Sequence, residues 1–303
     1  MDKSKICIVR AKPKESYVYD GLTKMGYQVY IPYKDINIVL RCMREVWFRL
    51  KLPGKQIWMN RKIAKSTADV FFVNDGFMCP EFFTWMRKHH PDARIILDYT
   101  NRVSSSIDPN TVDANVEKWT YDPEDCEKYS MKLKTPAYLD VYRLKELEEP
   151  EYDILYLGRD KGRAEYLLGL QKQMEDMGLK TCFRICADHR YNLWAKSFYQ
   201  PNIPYVDYLK LVAKSRAILN IMPDSQRAVT QRDMEAVYDN LKCITNNQAI
   251  VDFAFYDPDR FFILGRDDLS ALPDFLRRPC QKVPEEKLRY LSYDNNIEYI
   301  LSH

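Results

Sequence analysis

Short apolar runs rich in β-branched and aromatic residues alternate along this chain with longer stretches in which apolar positions recur every three or four residues. The short runs have the length of buried strands, and the longer ones have the period of helices lying on a sheet. In the first half this pattern predicts strands over 5–9, 28–31, 70–73 and 94–98, with helices over 17–25, 36–50 and 80–89. A strand–helix–strand rhythm of this kind builds parallel sheets from βαβ units.

From 108 to 153 the chain turns acidic and irregular, with a late strand at 118–121 and with Pro136 and Pro150 as punctuation. Such a composition suits a domain edge and a linker, which places the boundary near 149–152. The alternation then restarts. Strands are expected over 153–157, 180–185, 217–221, 242–245 and 260–264, and helices through Leu167, Leu170, Met174 and Met177, over 208–214 and over 230–238. A length of 303 residues is about twice that of a usual domain. The expected architecture is therefore α/β, with two Rossmann-like domains (1–150 and 151–283) facing each other across a cleft and a terminal helical segment at 284–303.

Composition narrows the class. Hydrophobic residues make up 46% of the chain, which argues against disorder, and a net charge of +3 without an arginine-rich tail gives no reason to expect nucleic acid as a partner. No uncharged apolar run approaches the ~18 residues of a membrane span, and no apolar core follows the charges of the first residues. A cytoplasmic protein, at most peripheral to the inner face of the plasma membrane, is expected. The eight cysteines are scattered, the closest pair being Cys182 and Cys186, so reduced and mostly buried thiols are expected, without disulfides or a metal.

The chemistry concentrates in the second half. The apolar strand ending at Leu157 runs into Gly158-Arg159-Asp160-Lys161-Gly162-Arg163, a glycine-permitted turn that brings Arg159, Lys161 and Arg163 together. Ligands of open parallel sheets lie beyond the carboxyl ends of the strands, where this turn would sit, and a pyrophosphate would use its cations. A surface turn whose charges are merely solvated fits the same residues. Further on, Gln226-Arg227-Ala228-Val229-Thr230-Gln231-Arg232-Asp233-Met234-Glu235 reads as a helix start. Thr230 is its N-cap and Asp233 the capping-box partner; Arg232 supplies a cation for a leaving diphosphate. Glu235, one turn in, is placed to accept ribose hydroxyls, or else makes a surface salt bridge.

The stretch 205–255 resembles the donor-binding domain of bacterial GT-B glycosyltransferases from capsule, exopolysaccharide and lipopolysaccharide clusters. The resemblance is carried by Tyr208-Leu209-Lys210, Ser215 to Ile221, Gln226, Thr230, Arg232, Glu235-Ala236, Lys242 to Asn247 and Asp252-Phe253, and by Tyr156 to Arg163 as the opening strand and turn. The first half is matched more loosely, through Phe72-Val73-Asn74-Asp75-Gly76, Ile95 to Asn101 and Tyr121 to Tyr129. The resemblance implies a GT-B-like fold and a nucleotide-diphosphate sugar held by the C-terminal domain. It further implies a saccharide or lipid-linked acceptor on the N-terminal domain, and transfer with neither metal nor other cofactor. Position by position, the resemblance implies that Arg159 and Lys161 would face the diphosphate, Thr230 and Arg232 would hold it from the helix end and Glu235 would bind the ribose, with Gly158, Arg163, Gln226 and Asn246 also in the donor site. One departure is that Ala228, preceded by the bulky Arg227, stands where such relatives usually have glycine.

Sugar transfer builds negative charge on the departing diphosphate. Without a metal, arginine, lysine and helix-end amides must meet it, each worth ~2–4 kcal/mol of barrier. An inverting reaction also needs a base for the acceptor hydroxyl. Asp75, at a strand end beside Gly76, is the first candidate and Asp98 the second; either would otherwise cap a loop. His89, His90 and His189 are weaker candidates, since a helix-terminal histidine more often serves the dipole.

Between Arg41 and Lys65 the cations Arg41, Arg44, Arg49, Lys51, Lys55, Arg61, Lys62 and Lys65 stand against the single acid Glu45, interleaved with Trp47, Phe48 and Trp58. Cations beside exposed aromatics suit an anionic membrane surface, whereas an amphipathic helix with its aromatics in the core would leave only solvated charge. Two rivals to a transferase stay open: a nucleotide-sugar epimerase of similar fold, and a non-catalytic subunit of a synthase complex.

Overall fold

The computed structural model describes residues 1–10, 17–76, 79–135, 137–144, 146–189, 194, 196–222 and 228–303. The chain divides into one compact unit of Met1–Thr135 with Ile297–His303, and a second of Pro136–Asn296.

In the first unit the strands β1 (Ile6–Val9), β2 (Gln28–Tyr30), β3 (Val70–Asn74), β4 (Arg94–Asp98), β5 (Glu117–Thr120) and β6 (Lys132–Leu133) form one parallel sheet in the order β2-β1-β3-β4-β5-β6. Between them run α1 (Tyr17–Lys24), α2 (Ile38–Arg49), α3 (Arg61–Ala64), α4 (Pro80–His89) and α5 (Pro123–Tyr129). The central strands are buried along almost their whole length, as a sheet covered on both faces requires. Cys7, Val9, Phe71, Val73, Ile95 and Leu97 join Phe82, Phe83 and Met86 of α4 in one core. The order reverses between β1 and β3, which creates a switch point at the carboxyl ends of those strands.

The second unit repeats the plan. Its strands β7 (Tyr152–Arg159), β8 (Thr181–Cys186), β9 (Ser215–Asn220), β10 (Lys242–Thr245) and β11 (Phe261–Ile263) are parallel in the order β11-β10-β9-β7-β8, with the switch between β7 and β9. Helices α6 (Ala164–Asp176), α7 (Tyr205–Ala213), α8 (Gln231–Tyr238), α9 (Leu272–Arg277) and α10 (Glu285–Tyr290) belong to it, and α11 (Tyr293–Ser302) ends the chain.

The irregular stretch expected to close the first domain divides differently. Residues 117–133 contribute β5, α5 and β6, completing the first sheet. Residues 137–144 and 146–151, by contrast, pack with the second unit. Tyr138 stacks on Tyr238 at 4.4 Å, Arg143 forks onto Glu285, and the Leu144 amide donates to Asp239. The boundary therefore falls at Thr135, not near 149–152, because these contacts join distant residues and leave no local pattern. The terminal segment is likewise divided. Arg94 holds the carbonyls of Ile300 and Leu301, and Trp119 meets Tyr299 edge-on, so the last residues belong with the first unit.

All eight cysteines are free; Cys7, Cys79, Cys186 and Cys243 are buried, while Cys42 is exposed. Among the described residues no helix is long and apolar enough to cross a membrane.

Candidate functional site

The carboxyl ends of β7 and β9 flank the switch point of the second sheet, and the turn after β7 is built from opposed charges. Lys161 and Gly162 both adopt left-handed backbone (φ 48° and 75°), which glycine accepts without strain. Gly158 leaves no room for a side chain, because a Cβ there would lie 2.8 Å from the Tyr156 hydroxyl. Asp160 accepts from the Ala164 amide at 2.7 Å and from Tyr199 at 2.5 Å, capping α6. Burial raises its pKa, but those bonds outweigh it and hold the carboxyl below its usual value. Asp188 binds the Lys161 amide at 3.0 Å, so an acid sits among the cations and takes one amide from any anion.

The three cations of this turn have separate fates. Arg159 and Lys161 are exposed, and their side chains have no hydrogen-bond or ion-pair partner among the described residues. Arg163 instead folds back, donating to the carbonyls of Asp160, Arg159 and, across the switch point, Ile221. Its guanidinium closes the turn and joins the ends of β7 and β9.

A second arginine makes the reciprocal reach. Arg232, in the first turn of α8, donates to the Leu157 carbonyl at the end of β7 at 2.8 Å and to Glu235 at 3.0 Å, and lies 4.2 Å over the Tyr208 ring. The N-terminus of α8 is fixed by a capping box between Thr230 and Asp233. Asn220, at the end of β9, holds both members. Burial raises the Asp233 pKa against the bonds that favour its charge. Because α8 starts at the carboxyl edge of the sheet, the positive end of its dipole points to the same region as Arg159 and Lys161.

Glu235 is enclosed by the fold. It has no exposed surface and accepts from four donors: Tyr205 at 2.9 Å, Tyr208 at 2.6 Å, Gln231 at 3.1 Å and Arg232 at 3.0 Å. A ribose would have to displace one of them. Asn246 is similarly occupied, its amide exchanging paired bonds with the backbone of Met222 at 2.8 and 2.9 Å. Gln226 lies outside the described residues.

In the first unit the two carboxylates expected to act as bases are both enclosed. Asp75 is fully buried and accepts from the amides of Thr100 and Asn101, from their side chains, and from the Ser106 hydroxyl at 2.6 Å. It organises the loop after β4 and has no exposed oxygen for an acceptor hydroxyl. Asp98 pairs with the buried Lys134 and accepts from Asn74 at 2.8 Å. His89 and His90 end α4, at the amino edge of the sheet and away from the switch point; His90 bonds the Ile63 carbonyl.

No protein-family model matches the chain, and no curated protein matches it. Solved structures similar over almost its whole length include two glycosyltransferases. The DNA-modifying enzyme β-glucosyltransferase, determined with and without uridine diphosphoglucose, has a TM-score of 0.52 at 11% identity over 97% of this chain and 94% of its own. The lipopolysaccharide outer core galactosyltransferase WaaB, in its apo form, has a TM-score of 0.51 at 9% identity over 98% and 99%. The chain has a GT-B-like fold.

On the N-terminal domain of this GT-B-like chain, α2 divides the basic region. Arg41, Arg49 and Lys51 are exposed, but Arg44 pairs with Glu45 and lies 4.7 Å over the Tyr33 ring. The aromatics turn inward: Phe48 packs on Tyr33, and Trp47 meets the buried Trp58 edge-on. What stays outside is an aliphatic strip. Ile38, Val39, Met43 and Val46 are each half or more exposed along a shallow groove of about 550 Å³. Neither Arg10 nor Lys134 stands in a motif that assigns it a role from sequence. A charge directly after the first apolar strand was the available signal for Arg10.

Proposed function

We propose that the chain is a metal-independent glycosyltransferase that moves a sugar from a nucleotide-diphosphate donor to a saccharide or lipid-linked acceptor in surface polysaccharide synthesis. The observation that carries this reading is the C-terminal switch point. There the cations Arg159 and Lys161, unpaired among the described residues, lie at the same sheet edge as the N-terminus of α8 and the partly exposed Arg232, whose side chain retains 23% of its accessibility. A departing diphosphate needs such a set already in place, because donors fixed before the reaction require no reorganisation as charge develops. In this proposal Arg159, Lys161 and Arg232 take the phosphates, Thr230 sets the helix start, and Arg163, Glu235 and Asn246 hold the frame that aims them.

The experiment is thermal stabilisation of the full chain by a panel of nucleotide sugars and nucleoside diphosphates, followed by a transfer assay. A binder at 100 times its Kd should stabilise the fold by about 2.7 kcal/mol. A joint Arg159→Ala and Lys161→Ala variant should lose that response. Absence of stabilisation by every nucleotide tested would refute the proposal and favour a non-catalytic subunit. Donor consumption that needs no acceptor would favour the epimerase.

A further inference from the structure

The switch point of the first sheet carries a feature that the folded chain leaves unsatisfied. Arg10 follows β1 directly, and its amide continues the ladder by donating to the Tyr30 carbonyl at 3.0 Å. The residue is only 8% exposed, and its buried Nε has no hydrogen-bond partner among the described residues. Because Val9 pairs with Val73, Arg10 stands beside Asn74 at the end of β3, on the same face of the sheet. Asn74 is 3% exposed and its Oδ1 is likewise unpartnered. The orientation of that amide is settled by its nitrogen, which donates to the carboxylate and carbonyl oxygens of Asp98. Asp98 is itself held by Lys134.

A buried donor carrying positive charge and a buried acceptor therefore lie side by side without bonding each other, where open α/β sheets bind ligands. An unpaired buried cation opposes folding, and a chain that keeps one does so where something else completes it. We infer that Arg10 and Asn74 form a subsite for an acidic sugar residue of the acceptor, one bearing an oxyanion next to a hydroxyl. The oxyanion, carboxylate or phosphate, takes the guanidinium; the neighbouring hydroxyl donates to Asn74 Oδ1. A neutral sugar would leave the arginine without its counter-charge, and inorganic phosphate lacks the ring that presents both groups together. The Lys134–Asp98–Asn74 chain is a positioning device that engages the amide nitrogen and so leaves the amide oxygen to accept. The inference deepens the transferase reading and rests on it for the word acceptor.

The test is calorimetric titration of the full chain with glucuronate, glucose 6-phosphate, glucose and inorganic phosphate. Binding of at least one of the first two, about tenfold or more tighter than glucose and than inorganic phosphate, is expected. Which of the two binds identifies carboxylate or phosphate. Arg10→Met should weaken that binding at least about tenfold, and the unliganded variant should melt at or above the temperature of the wild type, since it loses an unpaired charge. Failure of both acidic sugars to bind the wild type would overturn the inference, as would unchanged affinity in Arg10→Met. A fall of several degrees in the unliganded variant's melting temperature would also overturn it, by revealing a structural partner. Nucleotide binding measured in parallel separates the readings: if it persists while acidic sugars fail, only the acceptor subsite is lost.

Discussion

Replacing Glu235 by alanine discriminates between a ligand-binding and a frame-holding carboxylate. The substitution strips the counter-charge from Arg232 and leaves the hydroxyl of Tyr208, a residue buried to 2% exposure, without its acceptor. Removing one member of a buried pair costs about 3–5 kcal/mol, a large part of a total stability of roughly 5–15 kcal/mol. The structure places that loss in α7 and α8, because the donors come from Tyr205 and Tyr208 on one and from Gln231 and Arg232 on the other. Native-state hydrogen exchange resolved to peptides over 205–213 and 231–238 should therefore show protection falling by about two to four orders of magnitude. Protection elsewhere should fall less. The double variant Glu235→Leu with Arg232→Met, which removes both charges and keeps volume, should recover much of the loss. Unchanged protection in Glu235→Ala together with lost nucleotide affinity would refute the reasoning and return the carboxylate to the ribose.

Further outcomes are expected elsewhere. Asp75→Ala should release the loop around 100–106 and destabilise the first unit by about 2–4 kcal/mol, read by urea unfolding, whereas a stable but inactive variant would restore Asp75 as a base. Burial, with Glu235 nearby, pushes the Asp239 carboxyl from 3.8 up to about 7. Its folded value exceeds its unfolded value, so the neutral carboxyl's contribution is complete below about pH 4 and is lost as pH rises through 7. That loss is on the order of 4 kcal/mol, and Asp239→Asn should flatten the stability profile over this window. Exchanging Arg41, Arg49 and Lys51 for glutamine, with the paired Arg44 left in place, should reduce sedimentation with anionic vesicles; undiminished binding would remove α2 as a membrane-facing surface. Gly158→Ala should cost about 1–3 kcal/mol, because the Tyr156 hydroxyl at 2.8 Å belongs to a buried ring with little freedom to retreat, and a neutral outcome by chemical denaturation would count against that contact.

The alternation of strands and helices was legible because each element buries a face whose period is local. The helix over Pro123–Tyr129 could have been read from Asp122, Pro123 and Asp125, an N-cap, an N1 proline and an acidic first turn, yet its acidic composition resembled a linker. The Arg232–Glu235 pair was visible as a three-residue spacing. Its burial was not, because Tyr205 and Tyr208 reach it from a helix some thirty residues earlier. Asp75 shows the limit most clearly. A carboxylate beside glycine at a strand end has the same local signature whether it faces solvent or, as here, is wrapped by donors from Thr100 to Ser106.

The crossed arginines of the second unit have a consequence for engineering. Arg163 belongs to the turn after β7 but is anchored on Ile221, and Arg232 belongs to the segment after β9 but is anchored on Leu157. Neither loop is thus an independent module. Transplanting one from another protein would remove its arginine and leave the strand-end carbonyl that it covers without that donor, so loop exchange has to move the two segments together, as interlocked halves of a clasp.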